Sequence, residues 1–148
     1  MEIKLSAMTQ EQKENLASDP NTAEEVLRQL AKDDYWNVRY PLALNPNIPV
    51  GLLRDFVRDG DNRLKRFVAS NPNTPEDILR KLAVNKDSLV RYYVAGNPNA
   101  SSNLLVMLFG YEKSLKEPSV NVMIALHKHD KLPYVAKVIL ETLFGKWL

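Results

Sequence analysis

The chain has 148 residues, a formal net charge of +2 and no cysteine. That length suits a single domain able to bury a sizeable core. The small charge excludes a histone-like polycation, so nucleic-acid binding would require a localised basic face. Without cysteine there are no disulfides, iron–sulfur clusters, cysteinyl zinc sites or thiol nucleophiles. The opening residues lack the apolar run of a signal peptide, and no uncharged stretch approaches the ~18 residues of a membrane span. The expectation is a soluble cytoplasmic protein.

Along the chain, Thr9-Gln10-Glu11-Gln12 forms a capping box that opens a helix to about Ala17. A turn motif then recurs every 26 residues: Asp19-Pro20-Asn21, Asn45-Pro46-Asn47, Asn71-Pro72-Asn73 and Asn97-Pro98-Asn99. A period of this size marks a stack of structural repeats. Ala17, Ala43, Ala69 and Ala95 precede the turns, and Leu16-Ala17 matches Leu42-Ala43, which makes the first helix a capping half-repeat. After each turn come two adjacent apolar columns, Val26/Leu52/Ile78/Leu104 and Leu27/Leu53/Leu79/Leu105. Leu30/Phe56/Leu82/Leu108 follow three residues later, with Ala31/Val57/Ala83/Phe109 next. This spacing is one face of a helix. Thr74 is expected to N-cap the third copy with Pro75 at its first position, and Thr22 with Glu25 to form a capping box in the first. Ile48 and Ala100 replace the threonine elsewhere, which predicts weaker caps.

A second apolar set, Val38/Leu42, Leu64/Val68 and Val90/Val94, predicts a shorter second helix in each copy. Pro41 inside the first of these predicts a short or partly 3₁₀ element. Lys32-Asp33-Asp34, Asp59-Gly60-Asp61 and Asn85-Lys86-Asp87 mark the turns between paired helices. The period breaks after Gly110. Placing Val120 and Ile124 in the Val90 and Val94 columns implies a four-residue insertion, puts Ala125 in the alanine column and sets His127-Lys128-His129 where the turn motif would stand. Residues from about Leu132 to Phe144 form a closing amphipathic helix, with Val135, Val138, Ile139 and Leu143 on its apolar face and Gly145 at its end. The pattern predicts an all-α solenoid of two-helix repeats of about 26 residues. Its expected parts are an N-terminal capping helix in 1–16, four repeats in 17–124 and a capping helix in 125–148.

Asn71-Pro72-Asn73-Thr74-Pro75, Leu79, Leu82-Ala83 and Val90-Arg91 resemble the repeat of the leucine-rich repeat variant family, over about residues 17–126. The resemblance implies a HEAT-like, right-handed superhelix of alternating α and 3₁₀ helices with an interaction role. The period here is about two residues longer than the family's usual one, leaving room for a fuller second helix. The iron–sulfur segment of some relatives does not carry over to a chain without cysteine.

Two basic columns recur in register. Arg28, Arg54 and Arg80 lie on the first helices; Arg39, Lys65 and Arg91 lie on the second. Stacked repeats would turn these into cationic rows suited to a phosphate backbone. Ordinary pairing competes with that reading. Asp33, Asp59 and Asn85 stand six residues before Arg39, Lys65 and Arg91 and suit a structural ladder between repeats, while Glu24 and Glu76 stand one turn before Arg28 and Arg80. Val50 occupies that slot before Arg54.

Tyr35, Trp36, Tyr40, Phe67, Tyr92 and Tyr93 cluster near the second helices, a composition shared by protein-binding hot spots, base-stacking platforms and ordinary gap-filling. Tyr40 and Tyr92 directly follow the ladder cation and are expected at its exposed edge. His127 and His129, even with Asp130, are better explained as loop residues than as a metal site. No phosphate loop or nucleophile motif is present, and no cofactor is expected. The expected function is a monomeric, non-enzymatic scaffold that binds a protein or peptide through Arg28, Arg54, Arg80, Tyr40, Arg66 and Tyr92. Sequence-independent nucleic-acid binding along the arginine rows is the alternative.

Overall fold

The structure, a computed structural model, describes residues 4–59 and 61–148. Gly60, one of the expected turn residues, lies outside the described residues. Among these the chain is all-helical, with no strand: α1 (Gln10–Ser18), α2 (Glu24–Leu30), α3 (Trp36–Leu44), α4 (Val50–Arg58), α5 (Asn62–Ser70), α6 (Glu76–Leu82), α7 (Ser88–Ala95), α8 (Ser102–Ser114), α9 (Val120–Lys128) and α10 (Tyr134–Phe144), with 3₁₀ segments at Leu5–Ala7 and Gly145–Trp147. No helix among the described residues is long and apolar enough to cross a membrane.

The chain divides into two compact units, Met1–Thr74 and Pro75–Leu148. In the first, α1, α3 and α5 run side by side, α2 packs against α1 and α3, and α4 packs on α5. In the second, α7 and α9 lie side by side, α6 and α8 pack on α7, and α8 and α10 pack on α9. The apolar columns supply the cores. Leu27, Leu30, Leu53 and Phe56 are buried in the first unit, as are Leu79, Leu82, Leu105 and Leu108 in the second. Val38/Leu42, Leu64/Val68 and Val90/Val94 are buried as the periodicity requires. The alanine column is fully buried at Ala17, Ala43, Ala69 and Ala95.

Within the first unit, the turn motif ties each repeat to the one before it. The Asn45 side-chain amide donates to the carbonyls of Ala17 and Asp19, both at 2.9 Å, at the end of α1. Asn71 does the same to Ala43 and Asn45 at the end of α3. The Ala17 and Ala43 carbonyls are among the orphan acceptors that every helix C-terminus leaves, whereas those of Asp19 and Asn45 also accept the N–H of Thr22 and Ile48. The Asn oxygen meanwhile accepts the N–H two residues on, Asn47 from Asn45 and Asn73 from Asn71, closing an Asx turn around the proline. Asn47 and Asn73 then reach back to the carbonyls of Pro20 and Pro46. Asp19, in the first copy, performs the acceptor half through its bond from Asn21 N–H.

Several local expectations fail for identifiable reasons. Thr9 and Gln12 do form the capping box of α1, but Thr22 and Thr74 cap no helix. Their hydroxyls donate backward to the carbonyls of Leu16 and Val68, so the N-caps move one residue on, to Ala23 and Pro75, without a side-chain cap bond. Ile48 and Ala100 share that inward-facing column and are buried; Ser101 caps α8 instead. Nor do the second helices shorten into 3₁₀ segments. α3 is a nine-residue α-helix despite Pro41. An interior proline costs about 3 kcal/mol, whereas burying each of Val38, Tyr40 and Leu42 returns roughly 1.5–3 kcal/mol.

The break after Gly110 also differs. α8 runs on to Ser114, so the added residues lengthen a helix before forming a turn. Val122 and Leu126 are buried where Val120 is exposed and Ile124 only half-buried. The register is therefore shifted by 32 residues relative to Val90 and Val94, making the insertion six residues long. His127, not Ala125, falls in the alanine column, and the turn is His129-Asp130-Lys131. His129 Nδ1 accepts the Lys131 N–H at 3.1 Å, and Nε2 lies 3.1 Å from the Asn97 carbonyl. Both bonds form only if Nε2 carries the proton, so the ring reproduces the acceptor and donor of the missing asparagine. Lys131 Nζ donates to the Pro98 carbonyl, as Asn47 and Asn73 donate to Pro20 and Pro46. Last, α10 buries Ala136 and Leu140, while Val135, Val138, Ile139 and Leu143 are exposed, the reverse of the expected orientation.

Replacing Asn45 with alanine leaves the buried Ala17 carbonyl without its donor, while Asp19 keeps the Thr22 N–H, and should lower unfolding stability by about 1–3 kcal/mol in urea titrations. His129→Asn should stay within about 0.5 kcal/mol of the parent, with His129→Ala losing about 1–2 kcal/mol. Equal losses for the two His129 variants would show that ring size, rather than its two nitrogens, matters.

Candidate functional site

A groove of about 540 Å³ crosses the α1–α3–α5 layer of the first unit. Trp36, Tyr40 and Phe67 supply aromatic surface, Pro41 and Leu44 aliphatic surface, and Glu14, Ser18 and Asn37 the polar groups. The repeat explains this gathering. Glu14 and Tyr40 occupy one column of the 26-residue register, Ser18 and Leu44 another, and Pro41 and Phe67 a third, so successive helices present matched positions to one cleft. The rings form a continuous strip, with centroids 5.5 Å apart from Trp36 to Tyr40 and 4.9 Å apart from Tyr40 to Phe67. Trp36 is 58% exposed and stands at the rim.

Tyr40 is buried and forms the floor, contrary to its expected place on an exposed edge. Its hydroxyl lies 3.2 Å from Asp61 Oδ2, and the Arg63 guanidinium sits 5.7 Å from the ring centroid. Burial pushes the Tyr40 phenol up, and the hydrogen bond and charge of Asp61 push it further, so the hydroxyl stays protonated and donates. Burial also pushes Asp61 up, but N–H donation from Arg63 and Leu64, the Tyr40 hydroxyl and the Arg63 charge outweigh it and hold the carboxyl below its ordinary value. Asp61 is the N-cap of α5, so one carboxylate fixes both the helix start and the floor of the groove.

The ladder residues meet partners across repeats. Arg39 pairs with Asp59, and Lys13 holds Asp33 at 2.7 Å, so the series begins one repeat earlier than the arginines suggested. Arg91 is buried and pairs with the fully buried Glu112; it also donates to the carbonyls of Asn85 (2.7 Å) and Lys86 (3.0 Å). Glu112 in turn accepts the Ser119 N–H at 2.9 Å, pinning the lengthened α8 to the start of α9. Lys65 lies half-buried on α5.

Of the expected binding residues, Tyr40 alone lines the groove. Arg28 bonds Glu24 on α2 (2.6 Å) and Arg80 bonds Glu76 on α6, each within its own helix. Arg54 is exposed on α4 and Arg66 half-buried on α5. Tyr92 belongs to the second unit, where its ring meets Tyr93 edge-on at 5.3 Å. Glu14, Ser18, Asn37 and Leu44 escaped the sequence reading, and Pro41 was read only for its effect on the helix, although Glu14 shares a column with Tyr40, Arg66 and Tyr92. His127 reaches Glu141 of α10 at 2.8 Å, and no group of three metal-ligating side chains occurs among the described residues. The chain matches no protein-family model, no curated protein and no solved structure.

Burial pushes Asp33 up, but the Lys13 hydrogen bond, the Tyr35 N–H and the Lys13 charge together hold it below its ordinary value. A lowered carboxyl contributes stability above its unfolded pKa of about 3.9 and loses it as pH falls through the folded value. Lys13→Met should therefore lower the melting temperature at about pH 7, with the difference from the parent shrinking towards about pH 2. A pH-independent difference in thermal melts would show that Lys13 acts through packing alone.

Proposed function

We propose that this chain is a non-enzymatic interaction module that binds a peptide segment of a protein partner in the α1–α3–α5 groove. The observation that carries the reading is the strip of Trp36, Tyr40 and Phe67 along one apolar cleft, since rigid aromatic side chains in a cleft contribute most to protein recognition. The wider architecture that suits this role is a right-handed α-solenoid of the leucine-rich repeat variant kind, in which the turn-motif clamps continue from repeat to repeat. The carry-back bonds of Asn45 and Asn71 and the side-by-side packing of α1, α3 and α5 support it.

The acidic groups with bound partners serve structural roles: Asp61 caps α5, Asp33 and Asp59 hold ladder cations, and Glu112 is consumed by Arg91 and Ser119. That arrangement favours binding over catalysis. Charge placement likewise weighs against a phosphate rail, because Arg28, Arg39, Arg58, Arg63, Arg80 and Arg91 each have a carboxylate partner.

Peptides selected on the full chain from a random library should lose at least about thirty-fold in affinity to Trp36→Ala, a hot-spot loss of ~2 kcal/mol. Phe67→Ala should weaken them as well, and Tyr93→Ala should leave them unchanged. Selected peptides indifferent to both groove substitutions would sink the assignment.

A further inference from the structure

We infer that the occupant of this groove presents a cationic side chain, best an arginine of a basic segment, with its charged head at Glu14 and its stem along the rings. The inference rests on the groove being the binding site and names the chemistry that the groove selects. Three features converge on it.

Glu14 is half-buried at the groove, and among the described residues its carboxylate has no ion pair. Glu11, Glu25, Asp34 and Glu117 also lack an ion pair among the described residues, but they are exposed, whereas Glu14 is half-buried beside an apolar cleft. An apolar occupant would strip water from this carboxylate and leave it unpaired, which is costly, and an acidic occupant would meet like charge. Second, the exposed ring of Trp36 at the rim carries the negative side of the aromatic quadrupole on its face and attracts a cation, while the Tyr40 ring already takes Arg63. Third, the polar backbone here is acceptor-rich. Pro41 has no N–H, so the Asn37 carbonyl lacks its helical donor, and Asn37 lines the groove. The Ser18 hydroxyl spends its proton on the Glu14 carbonyl at 2.9 Å and offers the cleft its lone pairs. A half-buried carboxylate, the lone pairs of a hydroxyl and an exposed ring face in one cleft suit a group with several donors and a planar face. Guanidinium meets both requirements, whereas ammonium meets only the first.

The test uses the full chain carrying Trp147→Phe, which leaves Trp36 as the single tryptophan and hence the reporter. The probes are short capped peptides that alternate glycine with arginine, with leucine or with glutamate. The arginine peptide should shift Trp36 emission saturably, and Glu14→Gln should weaken it about ten-fold, the loss expected for a hydrogen bond to a charged group. Glu11→Gln, an exposed change on the same helix outside the groove, should leave the affinity unchanged. Circular-dichroism melts confirm that the variants fold. Equal weakening by Glu11→Gln would mean diffuse charge attraction and overturn the inference. If the leucine peptide bound as tightly and ignored Glu14→Gln, the cationic occupant would be overturned while the groove stood as a peptide site. Failure of every probe to move Trp36 emission would overturn both.

Discussion

The interaction on which the rest of this structure depends is the side-chain amide of the turn asparagine, clamped across two carbonyls at the end of the preceding second helix. Asn45 and Asn71 are buried, and each supplies a donor to main-chain oxygens that have no intrahelical partner. A buried carbonyl left unbonded costs about 1–3 kcal/mol, so the bond to the alanine carbonyl, which has no turn N–H of its own, decides whether adjacent second helices can lie at close range. The fully buried alanine column between those helices is the packing counterpart of the same demand. The central proline contributes by fixing its own backbone and holding the preceding residue extended, at φ −61° and ψ 125° for Asn45. The 26-residue period is thus the chain length needed to bring one clamp back to the next helix end.

The clamp also explains where the chain tolerates change. Six extra residues are absorbed upstream of the fifth turn, in the longer α8 and the loop before α9. The turn itself keeps its acceptor bond, one backward bond to a carbonyl and the reach to the earlier proline, even though all three of its residues are different. His129 substitutes ring nitrogens for amide groups, and Lys131 substitutes an ammonium for the second asparagine. The lengthened segment is held by the buried Arg91–Glu112 pair. Isolated burial of two charges is a poor source of stability, but here the surrounding groups absorb the cost, with Asn85 and Lys86 carbonyls on the guanidinium and the Ser119 N–H on the carboxylate.

Features set by local periodicity were legible in the sequence. The apolar columns of α2 to α8, the capping box at Thr9 and the turn motif are properties of residues close together in the chain. Legibility failed where two local solutions were chemically equivalent and a distant group decided between them. Thr74 can cap forward or donate backward, and the Val68 carbonyl, at the end of α5, takes it. α10 carries two apolar stripes, and the one with fewer large side chains faces α9. Val120/Ile124 and Val122/Leu126 have the same spacing, so the choice fell to the Ser119 cap, whose hydroxyl accepts the Val122 N–H. The candidate site was half legible for a similar reason. Composition marked Trp36, Tyr40 and Phe67, but a groove is a relation between helices, and its acidic wall is a single glutamate that looks ordinary within α1.

What makes this groove more than a gap between helices is that its floor is fixed before anything binds. Tyr40 is held from below by Asp61, which the start of α5 requires for its own capping bonds to Arg63 and Leu64. Its ring is flanked by Trp36 and Phe67 and approached by the Arg63 guanidinium. Loss of rotamer freedom in such a side chain has already been offset by folding, so an incoming ligand does not bear it again. On α10, Val135 and Leu143 are exposed while Ala136 and Leu140 are buried. Binding energy concentrates where an aromatic surface is both concave and immobilised. In the first unit, the cap that begins α5 is what immobilises it.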